Sequence, residues 1–465
     1  MFSAKDLNFS LIKYLNFLVL GVRGLIIAQI LGPHYLGIYS LFLLYQQYFQ
    51  YGNIGVQYAL NLELSRSGHS DEYSNYLVGS GFVVTILSTI FLSVLFIGLS
   101  TFEVSLFSED RQFFLLFLFA NTALFNYQDL SINILRVKNE LYTIAFLELF
   151  SSILILIITQ FFEGLELVKN IILWTSVALM ISNIVLVRRI GRIHLSFKYV
   201  RYLLSISFPI LFYHLTFNLL FMGTRSFVVR EYTLTTYGNF SFAHSLVNIF
   251  LLLTNTLLWV AYPRVVQSLA SNFSNTATLI NYITNLGRKI YILQLIMSMV
   301  AFSLAPAIFY VFPEYRSAQQ FYYLLLVSAV FGAMTYPYVT FLLARSKYLC
   351  LARVSVYSVV LAFVLFLMLH IMRLDPIWSA VAYCLVLLFY YNMLVYEFIK
   401  FNEIKHFIGV NLYSLTFQAI LVLIIFALVL NWFVMAKLIV IAACIAYKAD
   451  IIDLLVGVKR IYGNK

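Results

Sequence analysis

Two stretches of this chain, 202 residues apart, share one pattern: NFLVLGVRGLII from Asn16 to Ile27, and NLLFMGTRSFVV from Asn218 to Val229. Each sets an asparagine, a glycine and an arginine at identical spacing inside a membrane-length apolar run. A charged side chain in hydrocarbon costs about 2.5 kcal/mol or more, so an arginine there marks a functional position by default. The likeness continues. After a one-residue slip, YLGIYSLF (Tyr35 to Phe42) matches TYGNFSFA (Thr236 to Ala243). Polar identities in register are harder to obtain by chance than apolar ones, and they point to an internally duplicated bundle of the transport type.

The setting for that bundle is a bilayer. The chain is 62% apolar and 11% charged over 465 residues, with a mean hydropathy of +0.91, whereas a soluble domain carries about a quarter charged residues. A formal charge of +11 would suit nucleic acid in a soluble protein; in a membrane protein it is read as loop charge that sets orientation. Cys350, Cys384 and Cys444 all fall in or beside apolar segments, which implies neither a disulfide framework nor a metal site. No short apolar core with a small-residue cleavage site opens the chain, so Leu11 onward reads as a retained first span.

About 20 apolar residues cross a bilayer as helix. On that measure six spans occupy residues 1–187, beginning with 11–31 and 36–58. Six more occupy 202–400, and an additional pair, 408–430 and 433–456, fills 401–465. The expectation is an all-α integral membrane protein of 12–14 transmembrane helices, in two six-helix lobes related by a pseudo-twofold axis along the membrane normal, as in transporters with parallel repeats. Few basic residues fall in the outer loops (Arg111, Lys169, Arg316, Arg373) when both termini are placed in the cytoplasm, so the positive-inside rule favours that orientation. The basic segment from Arg188 to Arg201 is the expected cytoplasmic linker.

At 1.5 Å per residue, Arg23 lies about 12 Å below the end of its helix near Leu31, beyond easy snorkelling reach. At 100° per residue Asn16 and Arg23 share a face, and His214, Asn218 and Arg225 line one stripe. Two such helices facing each other across a central cavity would each present a guanidinium. Arginine suits a phosphate, because its planar fork binds two oxygens and it keeps its charge when partly desolvated. The competing structural reading pairs the arginines with buried acids or helix carbonyls. The internal acids Asp129 and Glu148 lie near the opposite membrane side and are candidate ion-coupling sites, or plain interfacial acids. Arg230 and Glu231 form either the rim of an outward opening or a surface pair. Gly21, Gly223, Pro209, Pro306 and Pro337 interrupt spans, either as bending points or for close packing. No GxxxxGK[ST] loop occurs, which argues against ATP hydrolysis by this chain, and the short outer loops leave little room for the catalytic groups of a membrane glycosyltransferase.

ILGPHYLGIYSLF, ILRVKNELYTIAF, YPRVVQSLASN and LAPAIFYVFPEYRSA, in that order and spacing, resemble the bacterial O-antigen and polysaccharide flippases of the multidrug, oligosaccharidyl-lipid and polysaccharide exporter superfamily. The resemblance covers most of residues 10–400; TLTTYGNFSF in the second lobe departs from it by lacking the LGP of the first. It implies a two-lobed bundle that alternates between inward-open and outward-open forms in the bacterial inner membrane. Its cargo would be an undecaprenyl-pyrophosphate-linked oligosaccharide, an O-antigen or capsule repeat unit. Arg23 and Arg225, with Asn16, Asn218 and His214, would line the cavity. No catalytic residue, cofactor, metal or nucleic-acid partner is expected. A monomer acting beside other polysaccharide assembly proteins fits the pattern. The alternatives are a cation-coupled multidrug antiporter of the same fold, which favours acids over arginines in its cavity, and a membrane enzyme of glycan assembly.

Overall fold

The computed structural model describes residues 4–65, 71–101, 110–137, 140–190, 194–271, 276–402 and 407–429, with the short pieces 435–436, 438–440 and 442. Among these residues every regular element is a helix: α1 (Ala4–Gln50), α2 (Val56–Ser65), α3 (Asp71–Thr101), α4 (Arg111–Val137), α5 (Leu141–Ile158), α6 (Gly164–Ile190), α7 (Phe197–Glu231), α8 (Leu234–Ser271), α9 (Thr276–Val311), α10 (Ala318–Ala344), α11 (Tyr348–Met372), α12 (Ile377–Phe401) and α13 (Phe407–Val429). Eight stretches among the described residues are long and apolar enough to cross a membrane, and the chain is a multi-pass membrane protein.

The α1 helix is two helices joined at a kink. Gly32 sits at φ 63°, ψ 174°, and Pro33 follows it. That conformation is open essentially to glycine alone, and proline withdraws the next amide from the helical ladder. Counting the arms of α1 separately, six membrane-length helices precede α7, six run from α7 to α12, and α13 follows. The expected last span at 433–456 lies almost wholly outside the described residues, as does Cys444.

Two features differ from the sequence reading, one span boundary and the role of the prolines. The second span, expected over 36–58, ends as helix at Gln50; a 3-10 turn at Tyr51–Asn53 and two left-handed residues, Ile54 (φ 58°) and Gly55 (φ 70°), precede α2. Hydropathy carries across this break because the turn residues interrupt an apolar run. A Cβ on Gly55 would meet Leu211 of α7 at 2.9 Å, so the break is also a site of close backbone approach. The prolines do not interrupt their helices: Pro209, Pro306 and Pro337 lie inside α7, α9 and α10, which continue past them.

The chain divides into two compact units, an N-terminal lobe, Phe2–Leu215, and a C-terminal lobe, Thr216–Lys465, with the division falling inside α7. In the N-terminal lobe α4 packs against α6, α3, α1 and α2, and α5 against α1 and α6. The polar groups at the α4–α6 contact are used inside the lobe: Asn121 Nδ2 donates to the Ile172 carbonyl (3.2 Å), Ser176 Oγ donates to Asn121 Oδ1 (3.0 Å), and Asn183 Nδ2 of α6 donates to the Leu124 carbonyl (2.8 Å). In the C-terminal lobe α10 is the hub, packed against α8, α9, α11, α12 and α13. Its Tyr322, Tyr323 and Phe331 are almost fully buried. Elsewhere apolar faces stay open. Leu87, Ile90, Phe91, Val94 and Ile97 form an exposed stripe on α3, a feature that hydrocarbon accommodates and water does not.

Candidate functional site

Each lobe carries one of the two candidate arginines, Arg225 buried and Arg23 half-buried, and each is described within its own lobe. In the C-terminal lobe Arg225, six residues before the end of α7, is 6% exposed. Its Nε donates to the Tyr237 hydroxyl at 3.1 Å, and its guanidinium carbon lies 5.7 Å from the centre of the Phe221 ring and 5.8 Å from that of Tyr237. Two aromatic faces and a charge-assisted hydrogen bond offset part of the cost of burying a cation. Phe221 is itself stacked on His244 (4.1 Å, 29°) and meets Tyr383 (5.5 Å). The Asn248 amide nitrogen lies 3.3 and 3.2 Å from the two ring nitrogens of His244. Asn218, two turns before Arg225 on α7, is half-buried. The short turn at Tyr232 and Thr233 between α7 and α8 positions Tyr237 beside Arg225.

In the N-terminal lobe Arg23 sits on the first arm of α1, with Tyr39 of the second arm as its electrostatic neighbour. Its Nε is buried and has no hydrogen-bond partner among the described residues, and no carboxylate there pairs with it. Asn16, on the same face two turns earlier, is fully buried, and its Nδ2 donates to Glu148 Oε2 of α5 at 2.7 Å. The structure thus joins a candidate binding residue to a candidate coupling acid. Sequence spacing by itself gives them separate roles.

The other acid occupies a different buried polar cluster, at the break between α1 and α2. Asn53 donates to Gln57 and, at 3.3 Å, to Asn126 Oδ1 of α4, while its own Oδ1 accepts from the Gly55 amide at 2.9 Å. Gln57 hydrogen-bonds Asp129, whose nearby cation is Arg136; Arg136 in turn donates to Asn61. His214 belongs here too, through Tyr58: the two rings stack at 3.8 Å and 10°, and Tyr58 also neighbours Asp129. His214 shares the helical stripe of Asn218 and Arg225, but the lobe division passes between His214 and Asn218. Arg230 and Glu231 are 3.9 Å apart, and Glu231 also pairs with His370 of α11 at 2.6 Å.

Several groups in these clusters were not apparent from spacing. Tyr237, Phe221, His244 and Asn248 around Arg225, and Asn53, Gln57 and Asn126 around the break, depend on contacts between helices. Tyr237 lay within the repeat, and the turn signal Gly52-Asn53-Ile54-Gly55 was present in the sequence.

Compared by sequence, the chain matches no protein-family profile and no curated protein. Its fold does match solved structures. A lipid II flippase MurJ in an inward closed conformation aligns with a TM-score of 0.65 at 14% identity, over 96% of this chain and all of the other. A mutant MATE protein gives 0.63 at 12%, over 88% and 97%. An outward-facing multidrug resistance MATE transporter of the MOP superfamily gives 0.62 at 10%, over 86% and 94%. The chain therefore has the two-lobed, all-helical fold of these proteins.

Proposed function

We propose that this chain is a flippase that carries an undecaprenyl-pyrophosphate-linked oligosaccharide, the repeat unit of an O antigen or capsule, across the bacterial inner membrane by alternating access. The fold it shares with a lipid II flippase and with multidrug transporters supports a transporter of that superfamily. The observation that supports the choice of cargo is an arginine at equivalent positions of the repeat, Arg225 buried between Phe221 and Tyr237 and Arg23 half-buried with its Nε out of solvent. A lipid-linked pyrophosphate carries about two negative charges and a hydrophilic glycan, and neither enters hydrocarbon unaided. Arg23 and Arg225 bind the pyrophosphate, Asn218 lies on the same face as Arg225, and the polyprenyl tail stays in lipid.

One observation favours a second reading. Asp129 and Glu148 both lie among polar side chains inside the N-terminal lobe, as a cation-coupled antiporter would require; in the flippase reading the same acids couple export to an ion gradient.

Depletion of the protein, followed by mass spectrometry of the membrane lipids, separates the two. A flippase predicts accumulation of a polyprenyl-pyrophosphate oligosaccharide. Unchanged lipid-linked intermediates together with new sensitivity to cationic drugs would favour the antiporter.

A further inference from the structure

The ends of α7 and α11 meet in the C-terminal lobe around a cavity of about 490 Å³ lined by Phe227, Glu231, Tyr232, His370, Arg373 and Leu374. None of these belongs to the arginine clusters. The cavity walls are fixed on several sides. Glu231 Oε2 lies 2.6 Å from His370 Nδ1, the Tyr232 hydroxyl donates to the Leu374 carbonyl at 2.7 Å, and Phe227 stacks on Phe366 at 4.9 Å. Arg373 ends α11 in the left-handed region, at φ 50°, ψ 44°. Glycine is the usual residue at such a helix end, so an arginine there adds a cost whose return is the guanidinium at the cavity.

The cavity opens where a lipid-facing surface ends. Tyr357, Val360, Val364, Leu367, Met368 and Ile371 are exposed on α11, spaced three and four residues apart along one stripe. From Tyr357 to Ile371 the stripe runs about 21 Å at 1.5 Å per residue, more than half of a hydrocarbon core about 30 Å thick. It can therefore cover the acyl chains of a lipid in one leaflet. The charges at its end balance: Arg230 and Arg373 against Glu231 and Asp375, with Asp375 close enough to Tyr232 to act on it electrostatically. A balanced rim favours a zwitterion over a net anion.

We infer that this cavity is a headgroup site for a glycerophospholipid bearing both a phosphate and a primary amine, that is, a phosphatidylethanolamine. The phosphate faces Arg373, the ammonium faces the carboxylates of Glu231 and Asp375, and the acyl chains lie along the α11 stripe. This site is separate from the transport reading and stands or falls without it.

Native mass spectrometry of the full-length purified protein, exchanged into mixed micelles of phosphatidylethanolamine, phosphatidylcholine and phosphatidylglycerol, tests it. At least a tenfold preference for retained phosphatidylethanolamine over either competitor is expected. Arg373→Gly removes the guanidinium while suiting the left-handed backbone, so that variant is expected to lose the preference with an unchanged or raised melting temperature; Arg373→Lys is expected to keep part of it. Equal retention of phosphatidylcholine, stronger retention of phosphatidylglycerol, or an undiminished preference in Arg373→Gly would overturn the assignment. So would displacement of the bound lipid by millimolar soluble phosphoethanolamine, because it would show that the α11 stripe contributes nothing.

Discussion

Arg225 and Tyr237 meet across the turn between α7 and α8, the guanidinium Nε donating to the phenol oxygen at 3.1 Å inside the C-terminal lobe. Arg23 likewise has a tyrosine, Tyr39, as its neighbour from the following helical arm. The two tyrosines are not equivalent positions of the repeat. With the one-residue slip, Tyr39 aligns with Phe240, whose ring is 6.4 Å from Phe221. Each lobe thus places an aromatic hydroxyl beside its arginine by a different local route.

Tyr237→Phe keeps the ring beneath the guanidinium and removes only the acceptor. A hydrogen bond to a charged group contributes about 1.5–3 kcal/mol, and part of that loss is expected to appear as misorientation of Arg225. Export of the lipid-linked substrate should fall by about tenfold or more at near-normal protein abundance, measured as surface glycan per unit of membrane protein. Tyr237→Leu, which also removes the ring, should be worse. Equal export by wild type and Tyr237→Phe would show that the hydroxyl does not orient the cation.

Glu148 accepts from a fully buried Asn16 amide, so Glu148→Ala leaves that donor unsatisfied, at about 1–3 kcal/mol. A lower melting temperature in detergent is expected. Glu148→Gln offers the same amide a carbonyl acceptor and should melt like wild type. If the acid couples transport to ions, Glu148→Gln alone will lose the dependence of export on an imposed gradient; retention of that dependence would reduce Glu148 to a structural partner of Asn16.

The glycines before and after Arg23 and Arg225 differ in kind. At Gly32, φ 63° and ψ 174° exclude other residues without strain, and Gly32→Ala is expected to cost about 1–3 kcal/mol and to lower the melting temperature. A Cβ on Gly223 meets nothing within 4 Å, so close packing does not require glycine there. Gly223→Ala should gain up to about 1 kcal/mol from helix propensity. Loss of export in a stabilised Gly223→Ala protein would identify that position as a bending point; full activity would exclude it.

His214 is stacked on Tyr58 at 3.8 Å. If packing is its role, His214→Phe will preserve stability and export, whereas His214→Ala will lower the melting temperature. Loss of export in a stable His214→Phe protein would instead return the imidazole to the binding or coupling machinery.

The features legible in the sequence were those written locally. Apolar runs mark the helices, and the gap between the expected spans 11–31 and 36–58 contains the Gly32-Pro33 kink that divides α1. The arginine repeat was visible because polar identities stand out against an apolar background. The break at Tyr51–Gly55 was lost because hydropathy averages across it, although Gly52, Asn53 and Gly55 are turn residues. The partners were hidden for a different reason. Tyr58 and His214 are 156 positions apart, and Asn16 and Glu148 are 132 apart; helical periodicity gives the face on which a residue lies and is silent about which helix covers it. Spacing alone therefore groups Asn16 with Arg23, and His214 with Arg225.

The most direct measurement is flipping by the purified chain in proteoliposomes loaded with a fluorescent undecaprenyl-pyrophosphate oligosaccharide, comparing wild type with Arg23→Ala, Arg225→Ala and the two Lys variants. The proposed pyrophosphate-binding role of Arg23 and Arg225 predicts that either Ala variant abolishes protein-dependent flipping, that the Lys variants retain an intermediate rate, and that all four fold normally. Wild-type flipping by both Ala variants would contradict the account.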